Sequence, residues 1–283
     1  KNSFQHLGFE PSKNVSDIAK KEGINSVSKF FNRKNLSIFK NFVKKTDIIF
    51  GANVVCHIPD LVEFILTCDL ALNENGKIIF EEPYLGSMYK KISYDQIYDE
   101  HIYMFSVSSI RKIFNIYNFD LIDIQPQTTH GGSMRYVIAR KGEYKINKKV
   151  FSKLKYEKIN QIDSIKGCLN FKKKCEISKK KLIGKINSII QKGKKIAGYA
   201  ATSKSTTILN YCGINHKHID FICDTTKDKI GKFTPKSHIP IVDMDHYRKN
   251  IPNYTFLFAW NHKKEIMKKE KKLRNINWFS HLN

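Results

Sequence analysis

Apolar positions along this chain change period several times, from the short solid runs of strands to the three-and-four spacing of helices. Residues 3–9 predict a short strand, and Glu10-Pro11-Ser12 turns the chain into a helix. Ser12 is placed to cap that helix, Val15, Ile18 and Ala19 form its apolar face, and Gly23 ends it. Residues 47–51 read as a strand of the kind buried on both faces of a parallel sheet. Pro59 suits the first turn of a helix carrying Leu61, Phe64, Ile65 and Cys68 on one side. A turn at Asn75-Gly76 and a strand over 77–80 follow. A loop rich in Tyr and charge (81–103) then leads to a helix over 109–117. Two close strands, 121–124 and 135–140, suit an antiparallel pair at a sheet edge.

Residues 148–192 are polar, Lys-rich and helical in period, with apolar marks at Ile159, Ile162 and Ile165, which predicts one or two connecting helices. A second unit opens with a strand at 195–199, a small-residue loop at 200–206 and a short helix at 207–212. A strand over 219–223 ends at Asp224, and a later one covers 255–259. That is the βαβ outline of a nucleotide-binding sheet. The alternation predicts an α/β protein, with a doubly wound domain over 1–145, a helical connector over 146–192 and a second α/β domain over 193–283.

The 283 residues are 41% hydrophobic and 12% aromatic, enough for two cores of ordinary size. No apolar run approaches the roughly 18 residues that cross a bilayer, and no charged–apolar–small leader opens the chain. A soluble, cytoplasmic protein is expected. The net charge of +24 raises a nucleic-acid partner. The lysines, however, spread over helical stretches such as 172–181 and 263–272, where they read as solvated faces, with no aromatic-studded basic strand beside them. No specific nucleic-acid partner is therefore expected. Six cysteines without a CxxC pair or zinc-finger spacing read as buried free thiols, and no metal is expected.

An acidic residue after the second strand of such a sheet binds ribose hydroxyls, and Glu10 has that place; an exposed Glu before a helix is also a good dipole partner. The strand and Gly-rich turn that belong roughly 20 residues upstream do not fit in nine residues, so the chain reads as cut inside a larger one. Asn53 and His57 follow the end of the 47–51 strand, where ligands bind in open sheets, although His57 also reads as a plain helix-start histidine. The densest cluster is Glu82-Pro83-Tyr84-Leu85 followed by Tyr94-Asp95-Gln96-Ile97-Tyr98-Asp99-Glu100-His101. An imidazole beside a carboxylate and a phenol suits proton removal next to a carbonyl, and equally a structural hydrogen-bond network or a metal site. Gly131, Gly132, Ser133 and Arg135 form either a phosphate-gripping loop or an ordinary hairpin. In the second unit, Lys204 rises from a helix start that favours phosphate, and Asp224 ends a strand where it can reach a ribose or base.

Together these residues resemble the sugar C-methyltransferase family, which methylates carbon 3 of nucleotide-diphosphate 4-keto-deoxysugars. The matching segments are Gly8-Phe9-Glu10-Pro11-Ser12, Asn53-Val54 with His57-Ile58-Pro59-Asp60, Glu82-Pro83-Tyr84-Leu85, and the IYDEH segment ending at His101. They continue through His130-Gly131-Gly132-Ser133-Met134-Arg135 and residues 198–213. Asp224, Lys229, Gly231, Ser237-His238-Ile239-Pro240 and Trp260-Asn261 complete them. The match runs from Gly8 to about Glu265.

The resemblance implies a Rossmann-like class I methyltransferase domain, N-terminally truncated, followed by the helical connector and a Rossmann-like domain that helps hold the nucleotide diphosphate. S-adenosylmethionine is the implied cofactor, with Glu10, Pro11 and Asn53 on its side, and a nucleotide-diphosphate keto-sugar the implied substrate. Zinc is expected only in an N-terminal domain without a counterpart here. His101 is the implied base, with Tyr98, Glu100 and His57 around the sugar; Tyr84, Gly131, Gly132, Ser133, Arg135, Lys204, Asp224, Lys229 and His238 are implied substrate contacts. The departures are the absent glycine loop, Lys236 where the family has Gly, and residues 266–283, which lack its closing pattern. A non-catalytic nucleotide-sugar-binding remnant, and a nucleic-acid methyltransferase or binder, are the alternatives.

Overall fold

The computed structural model describes residues 4–271 and 276–282; the start of the first expected strand and Asn283 lie outside the described residues. The fold is α/β. Its strands are β1 (Gly8–Phe9), β2 (Ser26–Val27), β3 (Thr46–Ala52), β4 (Leu72–Pro83), β5 (Phe119–Gln127), β6 (Ser133–Arg140), β7 (Ile196–Tyr199), β8 (Ile222–Cys223), β9 (Ile241–Val242), β10 (Tyr254–Leu257) and β11 (Asn277–Phe279). They form a β1–β2 pair, a four-stranded sheet in the order β3-β4-β6-β5, and a five-stranded sheet in the order β11-β10-β7-β8-β9. The chain gathers into two compact units. The first holds the residues up to Glu82 with Val107–Gln127 and Met134–Tyr156; the second holds Pro83–Ser106, Thr128–Ser133 and the residues from Glu157 onward.

In the first unit β3 and β4 run parallel, with Ile49 opposite Ile78. The register shifts between Thr46 and Ile48, and that irregularity absorbs Asn75-Gly76 into a continuous β4 where a turn was expected. The helix Leu61–Ala71 starts two residues after Pro59, capped by Asp60, whose carboxylate accepts the Glu63 N–H at 2.9 Å. Ile65 and Cys68 on this helix are fully buried, as expected. Phe80 of β4 packs its ring 5.8 Å from Phe114 and 5.2 Å from Tyr136, tying the sheet to the helix Val107–Ile116.

Two expectations fail in this unit. β3 is the outer strand of its sheet, and Ile48 and Phe50, two apart on one face, are 58% and 67% exposed. No described residue covers that face. The helix Lys13–Lys21 likewise leaves Val15 and Ile18 exposed and buries Ser16, whose hydroxyl lies 2.9 Å from that of Ser26. Ser12 makes no side-chain cap; its N–H instead donates to Glu10 Oε1 at 2.8 Å.

The second unit is built on a wholly parallel sheet. Its central β7 is followed outward by β8 and β9 on one side, and the chain then returns to lay β10 and β11 on the other. The reversal between β7 and β10 is a topological switch point, where open α/β sheets form a crevice beyond their strand ends. The connector is two helices, Lys148–Ile159 and Ile165–Gln191. The expected apolar marks Ile159 and Ile165 are exposed, because they flank the break between the helices, and only Ile162 is buried. The true stripe of the long helix is Phe171, Cys175, Leu182, Ile186 and Ile189, packed under the sheet with Ile196, Ile208 and Phe256.

Lys236, standing at the family's usual Gly, has a left-handed backbone (φ 64°), and its side chain is exposed. A Cβ strains that conformation and glycine does not. Lys236→Gly is expected to raise stability by about 0.5–1 kcal/mol, read as a higher midpoint in thermal unfolding.

Among the described residues no helix is long and apolar enough to cross a membrane. All six cysteines are free, five of them buried and Cys168 exposed.

Candidate functional site

The helix Leu85–Lys91 ends on Ile92 in the left-handed region, and a tight turn over Tyr94–Gln96 follows. That turn folds the chain back so that His101 meets it. The His101 N–H donates to the Tyr98 carbonyl at 2.9 Å, and its Nδ1 lies 2.8 Å from the Gln96 carbonyl oxygen. A carbonyl oxygen only accepts, so Nδ1 carries the hydrogen, and in the neutral ring Nε2 keeps its lone pair. Tyr98 Oη sits 2.8 Å from Nε2, with the two rings 4.0 Å apart. The sequence cluster is therefore a built dyad: a half-buried imidazole in a defined tautomer facing a phenol. Glu100, one residue away, is exposed.

A second group of residues gathers at the switch point of the same unit. The helix Ser203–Cys212 is capped by Thr202, whose hydroxyl accepts the Ser205 N–H at 3.2 Å. Lys204 in its first turn is 8% exposed, and its Nζ has no hydrogen-bond partner among the described residues. Burial pushes its pKa down, and the charge of Asp95 opposes that push. Its ammonium stands 5.4 Å from the Trp260 ring centre, and that of Lys91 stands 5.8 Å from it. Trp260 donates its indole N–H to Asp95 at 2.7 Å.

Behind Lys204, Asp224 Oδ2 accepts the Ala201 N–H at 2.7 Å, while Lys229 donates to the Ala201 carbonyl at 2.8 Å. These two residues brace the loop from which Lys204 rises. His238 is exposed on a left-handed backbone (φ 50°).

Gly131 and Gly132 need to be glycine. Both have positive φ, and a Cβ would lie 2.0 Å from Trp260 Cη2 at the first and 2.5 Å from Ser87 Oγ at the second. Lys91 donates to the Gly131 carbonyl, and the Ser133 hydroxyl donates to the Thr129 carbonyl at 3.1 Å. Tyr84 is buried and gives its hydroxyl to Glu157 at 2.8 Å.

The first unit carries the remaining candidates. Asn53, just past β3, has a left-handed backbone (φ 53°), and its N–H donates to the Glu81 carbonyl at 2.8 Å. Glu82, fully buried at the end of β4, accepts the N–H groups of Val54 and Val55 at 3.0 and 2.7 Å and so pins the loop that carries Asn53 and His57. Burial pushes the Glu82 pKa up against the pull of these bonds, and burial also pushes up the neighbouring Cys56 thiol. Asn53 Oδ1 and Glu82 Oε2 are buried with no hydrogen-bond partner among the described residues. Arg135 lies within β6 and pairs with Glu81 at 3.0 Å. Glu10, with Pro11 beside it, directly follows β1.

No role was legible in the sequence for Asp95, Trp260, Lys91 or His281, although Asp95 lies in the densest cluster and Trp260 in a matching segment. The Asp95–Trp260 bond joins positions 165 apart, a separation that leaves no local pattern.

A family model described as the C-methyltransferase C-terminal domain matches residues 128–278, more than half the chain, and a methyltransferase-domain model matches residues 1–124. The chain belongs to the C-methyltransferase family. Among curated proteins it is similar to C-methyltransferase NovU of Streptomyces niveus, at 27% identity over 94% of this chain, and it spans 63% of that relative's length. Solved structures align more faintly. A SAM-dependent methyltransferase of Thermotoga maritima, described as a possible histamine N-methyltransferase, gives 17% identity over 46% of this chain and 72% of its own, with a TM-score of 0.37. The magnesium protoporphyrin IX methyltransferase of Synechocystis PCC 6803, solved with bound SAM, gives 14% over 48% and 59%, with a TM-score of 0.34.

Proposed function

We propose that this chain carries the substrate-activating centre of an S-adenosylmethionine-dependent C-methyltransferase that acts next to the keto group of a nucleotide-linked deoxysugar. The observation that carries this reading is the His101 dyad, with Nδ1–H engaged by the Gln96 carbonyl and Nε2 facing the Tyr98 hydroxyl. An imidazole so fixed is a base at one atom only.

In this reading the ketone oxygen of the sugar takes the Tyr98 O–H bond, which leaves the Nε2 lone pair for the neighbouring C–H. Nε2 removes that proton, and the charge left behind spreads onto the oxygen that Tyr98 holds. Glu100, one residue from His101, binds beside the sugar ring. The Lys204 ammonium, which has no hydrogen-bond partner among the described residues, suits an anionic diphosphate, whose oxygens would accept its N–H groups. Gly131, Gly132 and Ser133 offer backbone close to that anion, while Asp224 and Lys229 keep the Lys204 loop in shape.

The first unit suits the methyl donor. Glu10 follows a parallel strand, as a ribose-binding acid does, and the orphaned Asn53 Oδ1 and Glu82 Oε2 are acceptors fit for its polar groups. When bound, S-adenosylmethionine supplies an electrophilic methyl group.

Incubation with S-adenosylmethionine and a nucleotide-diphosphate 4-keto-deoxysugar is the test. The expected product carries one added methyl on a ring carbon beside the keto group, seen by NMR. A chain that leaves the sugar unmethylated and instead binds random oligonucleotides in a salt-sensitive way contradicts the proposal.

A further inference from the structure

Asp95 is completely buried, yet the roles assigned above do not use it. Each of its oxygens has one partner: Oδ2 takes the Trp260 indole N–H at 2.7 Å, and Oδ1 lies 3.1 Å from His281 Nε2, itself buried. A carboxylate away from water is tolerable only where such partners hold it. Asp95 is thus fixed from residues 165 and 186 positions further along the chain.

The next residue, Gln96, is 1% exposed and equally constrained. Its side-chain amide donates to Ser93 Oγ at 2.7 Å and its backbone N–H to the Ser93 carbonyl at 3.2 Å. On the far side the Ile97 carbonyl accepts the Thr207 hydroxyl at 3.3 Å. Between these anchors stands the Gln96 carbonyl, the group that orients His101 Nδ1. A shift of Asp95 moves that carbonyl, and with it the aim of Nε2.

We propose that Asp95 is a positioning residue for His101: held by Trp260 and His281, it fixes the turn whose Gln96 carbonyl sets the imidazole's tautomer and direction. The C-terminal segment bearing His281 thereby supports the base from behind. The proposal rests on the reading of His101 as the base.

The test uses the full chain in the methyl-transfer assay. Asp95→Asn keeps the shape and removes the carboxylate. It is expected to lower kcat by about 10-fold or more, since misaligning a reacting group is costly, while KM for the nucleotide-sugar stays within about threefold. In a His101→Ala background the same substitution is expected to cause no further loss, because groups that act as one unit are not additive. Trp260→Phe, which removes the N–H to Asp95 together with part of the indole ring, is expected to lower kcat in the same direction and to add no further loss in the His101→Ala background, and that dependence on His101 decides the matter if Asp95→Asn does not fold. Full kcat in the folded variants, or an equal loss with and without His101, overturns the proposal. If His101→Ala itself keeps the full rate, the assignment of the base fails first. A slow His101→Ala beside a fully active Asp95→Asn sinks the role of Asp95 alone.

Discussion

Replacing His101 with Ala is expected to slow methyl transfer by about 10²–10⁴-fold, the range that a positioned general base contributes, with nucleotide-sugar affinity changed only a few-fold. The reason lies in the tautomer. The Gln96 carbonyl holds the proton on Nδ1, so the ring presents Nε2 as its single basic atom. Ala removes that atom and leaves the switch-point residues Lys204, Trp260 and Asp224 untouched. Tyr98→Phe is expected to lower kcat as well, since it deletes the O–H that faces Nε2 and would support the developing oxyanion. The double variant is expected to lose little more than His101→Ala alone, as groups acting together are not additive. Steady-state kinetics on the three variants check this. A His101→Ala enzyme at full rate, or two losses that multiply, would remove the dyad from the chemistry.

Gly131→Ala is expected to be strongly destabilising. Its Cβ would fall 2.0 Å from Trp260 Cη2, and φ is 84°. The backbone strain of an L-residue there costs about 1–2 kcal/mol, and the displaced ring adds about 1–3 kcal/mol more. The unfolding midpoint should therefore drop by roughly 4–20 °C. Trp260 holds Asp95 and stacks under two ammonium groups, so the damage should extend to Asp95, Lys91 and Lys204. Gly213→Ala is the control. That residue has a similar φ of 69° but open space around its Cβ, so only the backbone strain, about 1–2 kcal/mol, applies. Equal losses at the two positions would show that the indole moves aside at no cost.

Much of the fold was legible because strands and helices advertise themselves by period and by their caps. The second α/β unit was outlined from its apolar runs, and Thr202, just ahead of the helix Ser203–Cys212, lay inside the predicted small-residue loop. Burial was harder to read. Val15 and Ile18 are spaced as a core face and yet lie exposed, while the small Ser16 turns inward. Ile48 and Phe50 read as core but lie on an outer strand, a fact of sheet order rather than of local sequence.

The candidate site divides in the same way. Tyr98 and His101 are close in sequence and share one turn, so their meeting was visible. Asp95, Trp260 and His281 converge only once the chain has folded the turn over residues 94–96 against the C-terminal sheet, and nothing in their spacing announces it. Buried atoms without hydrogen-bond partners among the described residues, such as Lys204 Nζ and Asn53 Oδ1, are likewise visible only in three dimensions.

Proton removal at the sugar carbon is the central claim, and solvent-deuterium exchange reads it without methyl transfer. The nucleotide-diphosphate 4-keto-deoxysugar is incubated with the protein in D₂O, and deuterium beside the keto group is followed by NMR against an enzyme-free control. The expected result is wash-in well above the control with the native chain and at the control rate with His101→Ala. Wash-in that is equally fast without His101, or absent with the native chain, contradicts the assignment.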